Sequence, residues 1–241
     1  MNIKDNNHKK PIIHFKGVQK YYQVGKDQQL VIKGVDIKIM PGETVALLGK
    51  SGSGKSTMLN ILGLLDFPTA GEYLLNGVNV AGFDDNKRSE IRNKTFGFIF
   101  QQFNLLPKLN VIDNVTAPLY YNSDKSKWNN RKEIAIDLLR KFDIEDQAYK
   151  LPKLLSGGQQ QRVAMARSLV NDCEVIIGDE PTGALDSRTT DQVMAEIFRL
   201  NTEFGKTVIF VTHDDDLAEK FGRIIRLKDG IIVDEFDHDH M

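Results

Sequence analysis

Residues 47–57 read Leu47-Leu48-Gly49-Lys50-Ser51-Gly52-Ser53-Gly54-Lys55-Ser56-Thr57. The apolar run Thr44–Leu48 predicts a buried strand before the glycines, and residues 58–65 predict a helix after them. The glycines therefore stand where the chain must turn sharply. Glycines leave backbone N–H groups uncovered, and the start of a helix adds the positive end of its dipole. This pattern predicts a loop that binds phosphate.

The spacing within this loop is that of G-x-x-x-x-G-K-[ST], in which each polar residue has a task. Lys55 would reach the β- and γ-phosphates of a nucleotide, and the Ser56 hydroxyl would ligate Mg²⁺. The alternative is a glycine- and serine-rich loop that matches by chance, roughly a one-in-a-hundred event in a chain of this length. The flanking strand and helix disfavour that alternative. We predict that the following residues bind ATP: Gly49, Lys50, Ser51, Gly52, Ser53, Gly54, Lys55, Ser56 and Thr57.

The composition limits the class of protein. The 241 residues can form one α/β domain with lobes, and 32 basic residues balance 33 acidic ones, so no nucleic-acid partner is expected. The single cysteine, Cys173, excludes an intramolecular disulfide. No apolar run approaches the ~18 residues of a membrane span, and residues 1–10 lack the apolar segment of a signal peptide. We expect a cytoplasmic protein that reaches a membrane only through a partner.

The rest of the chain alternates apolar strands with helices, which predicts a mostly parallel sheet covered on both faces. Strands are expected at residues 12–15, 31–39, 44–48, 96–100, 174–178, 207–211 and 224–227. Residues 103–170 have helical character and predict a subdomain inserted into the α/β body. We therefore expect one domain over residues 12–235, a disordered tail at 1–11 and a loose tail at 236–241.

Polar residues follow three of these strands. Asp179 and Glu180 end one strand, where Asp179 can hold Mg²⁺ and Glu180 can act as the general base on water. His213 ends another and could contact the γ-phosphate, although a plain surface histidine is the alternative. Gln101 ends a third, and its amide could reach Mg²⁺ or water. Because the carboxyl ends of parallel strands share one crevice, these side chains should meet the phosphate loop.

Two further features suit a nucleotide. Ser156-Gly157-Gly158 precede a helix predicted at residues 163–170 and expose N–H groups, so they form a second anion site or only a helix cap. Two copies of the chain could share such a site with the phosphate loop. The aromatic pair Tyr21-Tyr22 could stack on a purine base or pack against the protein.

Taken together, these motifs resemble an ATP-binding subunit of an ABC transporter. The matching segments are the phosphate loop, Gln101, residues 155–159, residues 175–180, residues 184–186 and residues 212–214, and the resemblance spans about residues 12–233. It implies an α/β P-loop NTPase with a RecA-like core, an N-terminal antiparallel β lobe and an inserted helical subdomain. It also implies Mg²⁺-dependent ATP hydrolysis by a head-to-tail homodimer that encloses two ATP molecules.

The resemblance assigns roles to particular residues. Each ATP would lie between the phosphate loop of one subunit and Ser156, Gly157, Gly158 and Gln159 of the other. Asp186 would cross the dimer interface, and Gln101 would couple the nucleotide to the membrane partner. Glu180 would be the base, and His213 the switch on the γ-phosphate. Tyr22 would stack on adenine, with Tyr21 as the competitor.

Residues 62–71, 98–107 and 179–186 are most similar to the branch that serves lipoprotein release, macrolide and peptide efflux or resistance, and cell-division signalling. Within it, Lys50 replaces a common proline and Gly178 a common alanine. The resemblance implies a separate permease that docks near residues 101–121 and holds the subunit on the inner face of the membrane. Signalling through a membrane partner without transport is the alternative. An ABC protein acting on DNA or ribosomes is disfavoured, because only a modest helical block follows Gln101.

Overall fold

The computed structural model describes residues 10–100, 103–180 and 187–237, with side chains at all of these except 187–189. Four strands form an antiparallel sheet in the order β2-β1-β4-β5: β1 (Ile13–Val24), β2 (Asp27–Ile39), β4 (Ala70–Leu75) and β5 (Val78–Asn79). Six strands form a second sheet in the order β10-β9-β3-β8-β7-β6: β3 (Thr44–Leu48), β6 (Phe96–Phe100), β7 (Val175–Asp179), β8 (Thr207–Thr212), β9 (Arg223–Lys228) and β10 (Ile231–Asp237). All neighbours in the second sheet are parallel except β9 and β10.

The helices of the described residues are α1 (Lys55–Leu62), α2 (Asp85–Thr95), α3 (Val111–Thr116), α4 (Lys125–Asn129), α5 (Arg131–Lys141), α6 (Gly157–Leu169), α7 (Ser187–Thr202) and α8 (Asp215–Ala218). Short 3₁₀ turns cover Ala117–Tyr121, Glu145–Gln147 and Pro152–Leu154. The predicted combination of a parallel core sheet, an N-terminal antiparallel lobe and an inserted helical block is confirmed.

The core lies on both faces of the parallel sheet. Alternate residues of β3 point to opposite sides, so Val45 and Leu47 pack with α1 and the antiparallel sheet. Ala46 and Leu48 pack on the other side with residues of α3, α5, α6 and α7. Because both faces are covered, the strands are continuous apolar runs, which is why the sequence predicted them well.

The first two strands of the antiparallel lobe are longer than the sequence predicted. Strands expected at residues 12–15 and 31–39 are parts of one long hairpin, in which pairing runs from Ile13 with Ile39 to Val24 with Asp27. Register shifts interrupt it, one of them around Gly17, whose φ is +56°. A bulge of this kind moves side chains to the other face and hides the period-two pattern from sequence reading.

Two predicted boundaries were wrong. The helix expected at residues 163–170 begins at Gly157, because Ser156 caps it: its Oγ accepts the Gln159 N–H at 3.3 Å, and Gln159 bonds back to the Ser156 N–H. The glycines therefore belong to the first helical turn. The loose tail was expected from residue 236, yet Phe236 and Asp237 extend β10 by pairing with Ile224 and Arg223.

The unusual glycine of β7 is explained by its neighbour. Gly178 lies directly opposite Phe210 of β8, and a Cβ atom on Gly178 would stand 2.0 Å from Cε1 of that ring. Phe210 is fully buried and packs against Phe221 at 6.1 Å between ring centroids, so it has little room to move aside. Glycine at 178 is therefore the partner that a phenylalanine at 210 requires.

We expect Gly178→Ala to destabilise the protein by about 1–3 kcal/mol through overpacking. Adding Phe210→Val should recover most of that loss, because the smaller side chain makes room for the methyl group. Urea unfolding of the wild type, both single variants and the double variant measures the coupling. Strictly additive effects of the two substitutions would show that the two side chains do not compete for this space.

Candidate nucleotide-binding site

A cavity of about 720 Å³ opens at the carboxyl ends of β3, β7 and β8. Its lining consists of Val31, Lys50, Ser51, Gly52, Gly54, Lys55, Ser56, Thr57, Asp179, Glu180 and His213. The residues expected at three strand ends thus meet in one place, apart from Gln101, which lies outside the described residues together with Asp186. The size is that of ordinary small-molecule sites.

The phosphate loop has the backbone that its glycines permit. Gly52 and Gly54 have φ values of +81° and +102°, in the region where other residues are strained. Gly49 has no space for a side chain, since a Cβ atom there would lie 2.4 Å from the Leu227 carbonyl oxygen. Gly54 caps α1 without a side-chain hydrogen bond. The first N–H groups of α1 have no partner within the helix and can bind an anion.

Lys55 lines the cavity together with Lys50, and its side chain is nearly buried, 8% exposed. Its Nζ donates to the carbonyl oxygen of Lys50 at 3.0 Å, across the loop. This bond holds the ammonium among the loop's N–H groups. Lys55 therefore lies where the phosphate loop and the carboxylates of β7 face one another.

The turn between β9 and β10 supports the phosphate loop from behind. The Gly230 N–H, between β9 and β10, donates to the Ser53 carbonyl oxygen at 3.0 Å. Its own carbonyl accepts from the Lys33 N–H at 2.8 Å. A Cβ atom on Gly230 would stand 2.1 Å from the Val31 oxygen, so only glycine fits. The residues Asp229-Gly230 are typical of a tight turn, but only the tertiary structure shows that this turn contacts the phosphate loop.

Glu180 and His213 form a direct pair. Nδ1 of His213 lies 2.7 Å from Oε1 of Glu180, and because a carboxylate can only accept, Nδ1 carries the hydrogen. Glu180 has φ of +39°, a strained value for a residue with a side chain, and its N–H bonds to the Val211 oxygen at 3.0 Å. Unfavourable backbone held by the surrounding sheet is frequent at functional positions.

Asp179 is half-buried in the same cavity. Burial raises the pKa of its carboxyl group, the nearby charge of Glu180 raises it further, and Lys55 partly opposes both effects. The ionised form is therefore less favourable here than in the unfolded chain. Such a carboxylate gains most from a cation beside it.

We expect Asp179→Asn to raise the melting temperature of the ligand-free protein at neutral pH, on the order of 2 °C. The folded state binds the Asp179 proton more tightly than the unfolded state, so this group's contribution to stability is full below about pH 4 and is lost as pH rises through the folded-state pKa. The gain should therefore shrink towards acid pH. Thermal unfolding from acid to neutral pH tests this, with the exposed Asp234→Asn as control. An unchanged or lower melting temperature at neutral pH would contradict it.

The structure separates the two candidate tyrosines. The Tyr22 hydroxyl donates to Oδ2 of Asp66 at 2.8 Å, and the Thr57 side chain, which lines the cavity, lies near this hydroxyl. The Tyr21 hydroxyl instead bonds to Gln19 of its own strand at 3.3 Å. Only Tyr22 is thus placed beside the phosphate loop.

The second anion motif does not reach this cavity within one chain. Ser156, Gly157 and Gly158 are exposed, and none of them lines the site. The helix-cap interpretation is correct as far as one chain goes, because the Ser156 side chain serves α6. The motif meets a phosphate loop only if a second copy supplies one.

The fold and the cavity define a nucleotide-binding α/β protein of the P-loop type. The sequence profile of the ABC transporter family matches residues 32–183. The chain therefore belongs to the ABC transporter family, as one of its ATPases.

Known proteins have sequences similar to this chain over nearly its whole length. An uncharacterised ABC transporter ATP-binding protein, YknY of Bacillus subtilis, is 44% identical over 222 residues, which cover 92% of this chain and 95% of YknY. The macrolide export ATP-binding/permease protein MacB of Syntrophobacter fumaroxidans is 43% identical over 224 residues, covering 93% of this chain and 31% of MacB. The chain thus spans about a third of the MacB protein.

A solved structure, the dimeric post-hydrolysis state of the ATP-binding cassette MJ0796 bound to ADP and Pi, superimposes with a TM-score of 0.82 at 42% identity. It covers 94% of this chain and 98% of the cassette, which comes from Methanocaldococcus jannaschii. Among the described residues of the present chain, no helix has both the length and the apolar character needed to cross a membrane.

Proposed function

We propose that this chain hydrolyses ATP as one half of a head-to-tail homodimer and so drives a separate membrane permease of the efflux and lipoprotein-release branch. One observation carries the proposal: the phosphate loop, two carboxylates and a histidine line a single cavity. The similarity to an ADP- and Pi-bound dimeric cassette supports both the reaction and the assembly.

The phosphate loop and the carboxylates have different roles in the reaction. N–H groups of residues 49–57 and the Lys55 ammonium bind the β- and γ-phosphates and stabilise charge that develops on them. Glu180 accepts a proton from water, whose oxygen attacks the γ-phosphorus while the bond to the β-phosphate oxygen breaks. The hydrogen bond from Nδ1 of His213 orients Glu180. Nε2 would donate to the γ-phosphate when the imidazole is protonated, because both ring nitrogens then carry hydrogen.

Mg²⁺ fits the residues present. The Ser56 hydroxyl and the Asp179 carboxylate line the same cavity and are oxygen donors of the kind that Mg²⁺ prefers; the proposed third ligand, Gln101, lies outside the described residues. The described residues contain no group of three or more His, Cys, Asp or Glu that could hold a metal alone, as expected for an ion bound partly by substrate phosphates. When bound, Mg²⁺ would neutralise phosphate charge.

The dimer completes the site. Ser156 caps the 13-residue helix α6, which begins with Gly157, Gly158 and Gln159. Ser156, Gly157 and Gly158 are exposed, Gln159 is partly buried, and none of the four lines its own chain's cavity. A partner's α6 facing the phosphate loop would add helix-terminal N–H groups to the γ-phosphate. Asp186, outside the described residues, is proposed to cross the same interface.

We expect Glu180→Gln to keep ATP affinity within about twofold but to lower hydrolysis at least 100-fold, on the order of a lost general base. Because the nucleotide then stays intact, the dimer should accumulate. Phosphate release measures hydrolysis, and size-exclusion chromatography with and without ATP measures assembly. Normal turnover would remove Glu180 as the base.

Lys55→Ala is the matched control for binding. It removes a charge-assisted contact to phosphate, so ATP affinity should fall about tenfold or more, and no ATP-dependent dimer should form. Unchanged ATP binding in this variant would contradict the assignment of the phosphate loop.

A second cavity supports the proposed permease contact. It measures about 500 Å³, lies between α2, β6 and α6, and includes Pro118 and Tyr121 of the predicted docking segment 101–121. The rings of Phe98 and Phe100 stack with their centroids 5.9 Å apart and line one side of this cavity. Tyr121, 81% exposed at its edge, is apolar surface of the kind found at protein interfaces. We propose that a cytosolic helix of the permease binds here, which would hold the chain at the inner face of the cell membrane.

Affinity purification of tagged Glu180→Gln with ATP from solubilised membranes should recover a permease with four spans and a large extracellular domain. Tyr121→Asp, at the cavity edge, should abolish recovery, whereas Tyr149→Asp should not, since Tyr149 is 76% exposed in the same helical block but away from the cavity. A six-span permease would indicate an importer. Recovery of no membrane protein would contradict the proposal, and a partner without transport activity would favour signalling.

A further inference from the structure

A lysine is almost fully buried in the antiparallel lobe. Lys20 of β1 is 6% exposed, and its Nζ donates to Oδ1 of Asp66 at 2.6 Å and to the Phe67 carbonyl at 2.9 Å. Buried ammonium groups are rare and need such partners. Asp66 belongs to the turn after α1, so the ion pair joins the lobe to the end of that helix.

The same carboxylate holds Tyr22. Its second oxygen, Oδ2, accepts the Tyr22 hydroxyl hydrogen at 2.8 Å, while the Lys20 ammonium lies 5.0 Å from the centroid of the Tyr22 ring. Burial raises the pKa of Asp66, but hydrogen bonds from Lys20, Tyr22 and the Phe67 N–H outweigh it and leave that pKa lowered. Asp66 is therefore a charged acceptor that fixes both the ammonium and the phenol.

This arrangement leaves part of the ring exposed beside the nucleotide cavity. Tyr22 is 36% exposed, and the Thr57 side chain of the phosphate loop lies near its hydroxyl. Lys20 lies over one face of the ring, so a base can stack only on the other. Helix α1 thus begins at the phosphate site and ends beside the residue that orients Tyr22.

We propose that Lys20 and Asp66 are positioning residues that hold the Tyr22 ring at the angle required to stack on the purine base of the nucleotide. This inference rests on the proposed ATPase function and on the role in adenine stacking that the resemblance assigns to Tyr22. A purely structural ion pair would support the lobe without affecting nucleotide selectivity. Here one oxygen of the Asp66 carboxylate accepts a hydrogen bond from an exposed tyrosine at the edge of the site. An ion pair that only stabilised the core would not need this bond.

The test compares ATP with inorganic tripolyphosphate, which offers phosphates but no base, on the full chain. Tyr22→Leu should raise the Kd for ATP about tenfold by removing the stacking contact. Lys20→Met and Asp66→Ala should each reproduce most of that rise, and all three variants should bind tripolyphosphate within about twofold of wild type. Adding Lys20→Met to Tyr22→Leu should weaken ATP binding no further.

Two control variants distinguish a role in positioning Tyr22 from a general loss of stability. Lys16 lies on the same strand as Lys20 and forms an exposed ion pair with Glu72 of β4 at 2.9 Å. Lys16→Met breaks this pair and should leave both affinities unchanged. Asp66→Asn preserves the shape of the side chain and should restore part of the ATP affinity lost in Asp66→Ala. Should Lys20→Met fail to fold, as thermal unfolding would show, Asp66→Asn and Asp66→Ala carry the test alone.

Three results would overturn the inference. Wild-type ATP affinity in both Lys20→Met and Asp66→Ala, with Tyr22→Leu weakened, would leave Tyr22 as the base contact but remove its supports. Equal weakening for ATP and tripolyphosphate would show that the ion pair maintains the phosphate loop instead. Unchanged ATP binding in Tyr22→Leu would remove the base contact itself, while the Lys55→Ala and Glu180→Gln results would still decide ATP hydrolysis separately.

Discussion

Parallel pairing of β3, β8 and β7 is the constraint on which the site depends. Leu48 lies opposite Thr212, and Asp179 lies opposite Val211, so three strands end almost level. The phosphate loop, Glu180 and His213 follow directly after those strand ends, so they lie in the same crevice. Strand pairing thus makes neighbours of residues that are more than a hundred positions apart in the chain.

Features that do not favour stability collect around this crevice. Asp179 is a half-buried carboxyl with a raised pKa, and Glu180 has a strained backbone. Ser53 Oγ is one of two buried side-chain polar atoms that have no hydrogen-bond partner in the described part of the chain. Proteins retain such local conflicts where binding or chemistry uses them, and the well-packed sheet supplies the compensating stability.

Rigid connections surround the loop on two sides. The Gly230 turn ties Ser53 to β2 through backbone hydrogen bonds that admit only glycine. On the other side, the Thr57 side chain lies near the Tyr22 hydroxyl, which is hydrogen-bonded to Asp66. The antiparallel lobe therefore contacts the surroundings of the phosphate loop and does not merely cover the sheet. Lys33 of β2 bonds to the Gly230 turn, and Tyr22 of β1 lies near Thr57.

Residue order alone was enough to predict the α/β class, the phosphate loop and the strand-end residues Asp179, Glu180 and His213. Those signals are local: glycine spacing and apolar runs bounded by polar residues depend only on neighbours in the chain. The bulged hairpin, the Gly178–Phe210 fit and the Lys20–Asp66–Tyr22 cluster became visible only in the tertiary structure. Each depends on which side chains different strands and turns bring together, and strand register and packing, which no single segment encodes, determine that outcome.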